Sequence, residues 1–199
     1  DNVGVLTIGG AGTTSSFTGG LSTTGQTGGT VTLNGTVSTT ATNMDFGAVT
    51  LGSATSLASS DGDIMSTGAV RAGGNTLSLA AGTGNILLGD GTNSVTGAST
   101  LTLTSSTNTT FSGATSANDI ALNGTTGLID FTGAVTTTNS LTTANQPYSV
   151  RFQGAATSIA GNTTFLNAGA LTLAGGGTTT FVDGVTATLP SAVNLQGST

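Results

Sequence analysis

The sequence predicts an all-β chain wound as a parallel β-helix, a β-solenoid with coils of about 20 residues. Three observations carry the prediction. Short triplets in which aliphatic residues alternate with a hydroxyl or small residue recur along the chain. A phenylalanine followed two residues later by glycine returns at a nearly fixed spacing through the central block. Finally, Gly, Thr, Ser and Asn interrupt every window, so no stretch carries apolar residues at helical spacing.

The triplets run in order as Leu6-Thr7-Ile8, Val31-Thr32-Leu33, Val49-Thr50-Leu51, Leu77-Ser78-Leu79, Leu101-Thr102-Leu103, Ile120-Ala121-Leu122 and Leu171-Thr172-Leu173. Period-two alternation turns the aliphatics to one face and the middle residue to the other, and Gly, Asn, Ser or Asp then breaks the strand. A second element follows most of them. It reads Phe111-Ser112-Gly113-Ala114, Phe131-Thr132-Gly133-Ala134 and Phe152-Gln153-Gly154-Ala155, with looser copies at Phe17, Phe46 and Phe181. One coil cannot bury its own apolar side, so each strand is expected to pair with its equivalent one coil away. Some nine or ten coils at about 4.8 Å each would make a rod roughly 45 Å long.

Other architectures fit less well. Disordered chains combine low hydropathy with high net charge. Here the mean hydropathy is positive and the net charge is −6. An antiparallel sandwich would need hairpin turns every 8–12 residues or so and gives no reason for the longer repeat. Propeller blades are longer than this repeat, and the asparagine-leucine pattern of leucine-rich repeats is missing.

Composition also narrows function. Only 5% of the 199 residues are charged, against roughly 25% in ordinary domains. Eight Asp face two cations, Arg71 and Arg151, so no basic surface exists for nucleic acid. No apolar run approaches the length of a membrane-spanning helix. There is no Cys, hence no disulfide and no thiolate metal site. The opening Asp1-Asn2-Val3-Gly4 shows neither a starting Met nor a signal-peptide pattern. The expectation is one continuous solenoid segment over 1–199, part of a longer chain.

At Gly169-Ala170-Leu171-Thr172-Leu173 and the following Gly177-Thr178-Thr179-Thr180-Phe181, the sequence resembles the β-strand-repeat passengers of bacterial autotransporters and the filamentous-haemagglutinin-like exoproteins. The resemblance covers nearly the whole chain. It implies a right-handed parallel β-helix, export to the outer surface or exterior of a bacterium, and work as a stalk, adhesin shaft or fibre. It supplies no catalytic residues. The expected function is therefore a structural segment, with a carbohydrate-binding or adhesive lateral surface as the alternative.

General acid–base chemistry has little to draw on, because His, Glu, Lys and Cys are all missing. No enzyme activity and no cofactor is expected. The calcium candidates are Asp61, Asp63 and Asp90, in Asp61-Gly62-Asp63 and Gly89-Asp90-Gly91. Isolated carboxylates fall short of the roughly six to eight oxygens calcium prefers, and Asp and Gly are ordinary turn formers. Outward threonine ranks such as Thr102 and Thr172 could bind ice if regular, but Ala121 interrupts the rank and one Thr stands per strand. Phe111, Phe131 and Phe152 could stack on sugars. Their alternation with Ile129 and Val150 places them inside instead.

Two expectations concern contacts. Asp130 and Arg151 each precede a repeat phenylalanine, so they should meet one coil apart as a solvated surface ion pair worth at most about 1 kcal/mol. Alternation also begins at Leu6 and persists to Val193-Asn194-Leu195, without a capping element at either end. Open strand edges template further pairing, so the expected partner is a continuation along the axis, in the same chain or a neighbouring subunit.

Overall fold

Thr and Leu dominate the alternating segments, joined by Val, Ile and Phe, and the β-branched and aromatic residues among them suit a pleated, half-buried surface. The computed structural model, which describes residues 4–26, 29–174 and 177–196, contains strands and no helix among them. The strands stack as a β-solenoid of about eight turns of roughly 22 residues, and every ladder is parallel. Turn lengths are uneven: Leu6 pairs with Val31, and Val31 with Val49.

Three columns of strands run along the rod. The first begins at Leu6–Ile8, passes through Val31 and Val49 to Val70–Arg71 and Val95–Thr96, and ends at Ala156–Ile159 and Thr178–Phe181. The second begins at Thr14–Phe17 and passes through Leu77–Ala80 and Ala98–Ser105 to the far half of Val135–Thr143. The long strands Val31–Thr39, Val49–Ala58, Thr115–Leu122 and Val135–Thr143 belong to both columns, and the register shifts between their two halves. Beyond them the second column is resumed by Thr163–Thr164 paired with Val185–Thr186, tied back by the Thr143 hydroxyl, which accepts from the Leu166 N–H at 2.6 Å. The third column is a nine-stranded sheet from Leu21–Ser22 to Val193–Gln196.

The triplets do not all occupy one column. Leu6, Val31 and Val49 head the first, while Leu77, Leu101 and Ile120 lie in the second. Leu171–Ala174 sits in the third, where Leu173 stacks on Phe152. The phenylalanine copies divide likewise. Phe46, through Ser66 and Leu88, shares the third-column position of Phe111, Phe131 and Phe152. Phe17 pairs with Thr39 in the second column and Phe181 with Ile159 in the first, so these two are not copies of the same element. Alternation fixes which residues share a face but not which face, and that is why the copies looked alike.

The interior is one continuous apolar cluster, drawn from all three columns. Phe111, Phe131 and Phe152 are fully buried and stack with ring centroids 4.8 and 5.2 Å apart and planes within 8°. That separation matches the strand spacing, so the ladder follows from in-register pairing itself. At the corner after these rings, a Cβ on Gly133 would lie 2.2 Å from the Gly113 carbonyl carbon, and one on Gly154 2.1 Å from that of Gly133. The glycine of the repeat is thus required by the close approach of successive coils.

Candidate functional site

Outward residues of the third column stand in register as Ser22, Asp45, Met65, Leu87, Thr110, Asp130, Arg151, Thr172 and Asn194. Within this rank lies an ion pair among the described residues. Arg151 Nε donates to Asp130 Oδ1 at 3.0 Å and Nη2 to Oδ2 at 2.6 Å, while Gln153 Nε2 donates to both oxygens at 2.7 and 2.8 Å. Register and outward direction agree with the expectation, but solvation does not. The Asp130 side chain is only 9% exposed, because Arg151 and Gln153 cover it. Burial pushes its carboxyl upward, yet the hydrogen bonds from Arg151 and Gln153 and the Arg151 charge outweigh it and hold the group below its ordinary value. The Asp130 hydrogen bond raises Arg151 in turn. The sequence reading missed Gln153, although period two places it on the Arg151 face.

The calcium candidates do not converge. Asp61 Oδ1 accepts the Thr83 N–H at 2.8 Å and Asp63 Oδ1 the Asn85 N–H at 2.7 Å, each one coil away. Asp90 Oδ1 accepts the Thr92 and Asn93 N–H groups of its own turn, both at 2.8 Å. Those bonds, from Asn93 first and then Thr92, lower its pKa. Among the described residues no group of three or more His, Cys, Asp or Glu side chains gathers for a metal.

Asp63 belongs to a ladder that the sequence reading passed over. Asn43 Oδ1 accepts the Asp63 N–H at 3.0 Å, Asn108 Nδ2 donates to Asn85 Oδ1 at 3.3 Å, and Asn108 Oδ1 accepts the Leu128 N–H at 3.0 Å. Asn43, Asp63, Asn85 and Asn108 each immediately precede a third-column strand. That position was a legible signal. Asn43, Asp63 and Asn108 thereby satisfy corner backbone N–H groups, while the Asn85 side chain links Asp63 to Asn108.

Hydroxyls cover much of the remaining exterior. Thr14, Thr36, Ser56, Ser78, Thr102, Ala121 and Thr142 form one outward rank, with Ala121 in register beside Thr102 as expected. Thr172 points outward from the third column, a different face. Single threonines per strand are not the rule: Val31–Thr39 turns both Thr32 and Thr36 outward. A shallow groove of about 220 Å³ crosses this exterior, lined by Gly74, Gly97, Ala98, Ser116, Ala117, Asn118, Thr136 and Thr138. Thr138 donates to Asn118 Oδ1 there at 2.9 Å.

Tyr148 is fully buried. Its hydroxyl donates to the Leu122 carbonyl and accepts the Ala144 N–H at 2.9 Å, which joins two coils, and burial raises its pKa. The single tyrosine is therefore placed as an internal brace. What the exterior offers is a neutral hydrogen-bonding surface with few charges. No family model matches the sequence, and neither a curated protein nor a solved structure matches it.

Proposed function

We propose that the chain is a length of shaft in an extracellular fibre, stalk or adhesin of a bacterium, where it acts mechanically rather than catalytically. The observation that supports this most is the stacking of parallel strands from Leu6–Ile8, Thr14–Phe17 and Leu21–Ser22 to Thr178–Phe181, Val185–Thr186 and Val193–Gln196, with the third column running unbroken as one nine-stranded sheet. Successive coils are bonded through their backbones in two or three columns, so axial load falls on many hydrogen bonds in parallel. The exterior suits exposure to proteases: without Lys, trypsin finds only Arg71 and Arg151. The resemblance to autotransporter passengers and filamentous-haemagglutinin-like exoproteins points the same way.

Electron microscopy of the source cells, labelled with an antibody against residues 1–199, tests the reading. Label along external fibres or stalks is expected. Label confined to the cell interior contradicts it. A second reading, a glycan held laterally, is favoured by the groove in which Asn118 and Thr138 offer hydrogen-bonding groups beside a mainly apolar floor. Binding on a glycan array that Asn118→Ala abolishes would support it.

A further inference from the structure

We propose that the outward face of the third column is a contact surface for a second copy of the chain, and that two rods pair on it side by side and antiparallel. The pairing goes beyond the shaft reading and does not depend on it.

The components lie along one outward row in the body of the rod. Asp45, Met65, Leu87, Thr110, Asp130 and Arg151 follow one another in register, one strand step apart. Each has a neighbouring coil on both sides, from Ser22 below Asp45 to Thr172 above Arg151, so their exposure is lateral. Leu87 is 44% exposed and Met65 half-buried, an apolar pair set among hydroxyls, amides and carboxylates. Asp45 stands at one end of the row, and among the described residues its carboxylate accepts no hydrogen bond and forms no ion pair. Arg151 stands at the other. Its Nε and Nη2 hold Asp130, which leaves Nη1 without a partner on a side chain 41% exposed. An unpaired carboxylate and a spare guanidinium donor thus share one row, five steps or about 24 Å apart. They cannot meet within one rod.

The order of charges selects the occupant and its direction. Against a parallel copy in register, Asp45 would meet Asp45 and Arg151 would meet Arg151. Turning the second rod end over end, about an axis between Leu87 and Thr110, seats Asp45 of each copy on Arg151 of the other. The same turn sets Leu87 on Thr110, and Met65 on the Arg151 and Gln153 stems that cover Asp130. In the row two residues earlier, exposed Asn85 faces exposed Asn108, so carboxamide meets carboxamide, and Asp63 faces Leu128. In the row two residues later, Thr67 faces Thr132 and Gly89 faces Ser112. No two like charges stand opposite each other. The strip is small beside the roughly 800 Å² per partner of a standard complex, so a single pair is weak. Rods held close together would bundle through it.

Sedimentation equilibrium of the chain up to roughly 1 mM tests for the pair. A monomer–dimer equilibrium that grows no further is expected, because a two-fold contact closes. Asp45→Arg sets cation on cation at both ends of the strip and should weaken association by at least about tenfold. Thr102→Arg, on the second column, should leave it unchanged. Far-UV circular dichroism checks that both variants remain folded. Direction is read from one spin label at Thr172→Cys in the otherwise unaltered chain. The antiparallel pair separates the two labels by roughly 35 Å, and a parallel pair in register by roughly 10 Å. A chain that stays monomeric throughout overturns the proposal. So do dimerisation of Asp45→Arg at wild-type strength, an equal loss in Thr102→Arg, and the short label distance. None of these results bears on the shaft reading, which stands or falls on where the antibody label lies.

Discussion

Asp130 shows how neighbours decide the behaviour of one carboxylate on a nearly uncharged rod. Its folded pKa lies below the ordinary value despite burial, so its stabilisation is fully present above the unfolded pKa of about 3.9 and is lost as pH falls through the folded one. Acid unfolding of the wild type should therefore steepen below about pH 4, and Asp130→Asn should flatten that limb. Arg151→Met, which keeps the apolar stem, removes two charge-assisted bonds from a covered carboxylate and should cost about 2 kcal/mol in urea unfolding. A cost below about 0.5 kcal/mol would restore the solvated surface pair that sequence alone suggested. Ala41 presents the opposite case. It holds φ +52 at a corner where Ser60, Asp61 and Gly82 of the following coils also take positive φ. Ala41→Gly should relieve that strain and, after glycine's extra unfolded-state entropy, stabilise by about 0.5–1 kcal/mol.

Strands and corners were legible to different degrees. All seven alternating triplets fall within strands, and the phenylalanine repeat forms the buried ladder its alternation implies. Column membership was not legible, because period two is the same in every column and the corners vary in length. Hence Leu171 was grouped with Leu6, although it stacks on Val150. The long strand Val31–Thr39 also hid its double membership, since the shift between Leu33 and Gly35 leaves no break in the alternation. The glycine corners can be tested directly. Gly133→Ala forces a Cβ into the backbone of the previous coil and should destabilise by about 3 kcal/mol or more. Gly19→Ala meets nothing within 4 Å and should change stability by less than about 0.5 kcal/mol. Phe131→Ala, at the centre of the ring ladder, should cost about 3–5 kcal/mol.

Over the whole molecule, stability is a sum of coils and nearest-neighbour contacts, so it should not be uniform. Amide exchange should be slowest between Ile64 and Phe152, where both neighbours are present, and fastest in Val193–Gln196, whose residues are all exposed. The central claim, that the chain is a parallel solenoid rising by one strand spacing per turn, is tested most directly by distance. The chain has no cysteine, so pairs of spin labels can be placed without background. Thr7, Thr50 and Thr180 lie outward in the first column, two and eight rungs apart. Electron–electron double resonance on T7C/T50C and T7C/T180C should give separations of roughly 10 and 38 Å, in proportion to rung number at about 4.8 Å per rung. A Thr7–Thr180 distance that falls well short of that proportion, as in a chain folded back into an antiparallel sandwich, would contradict the account.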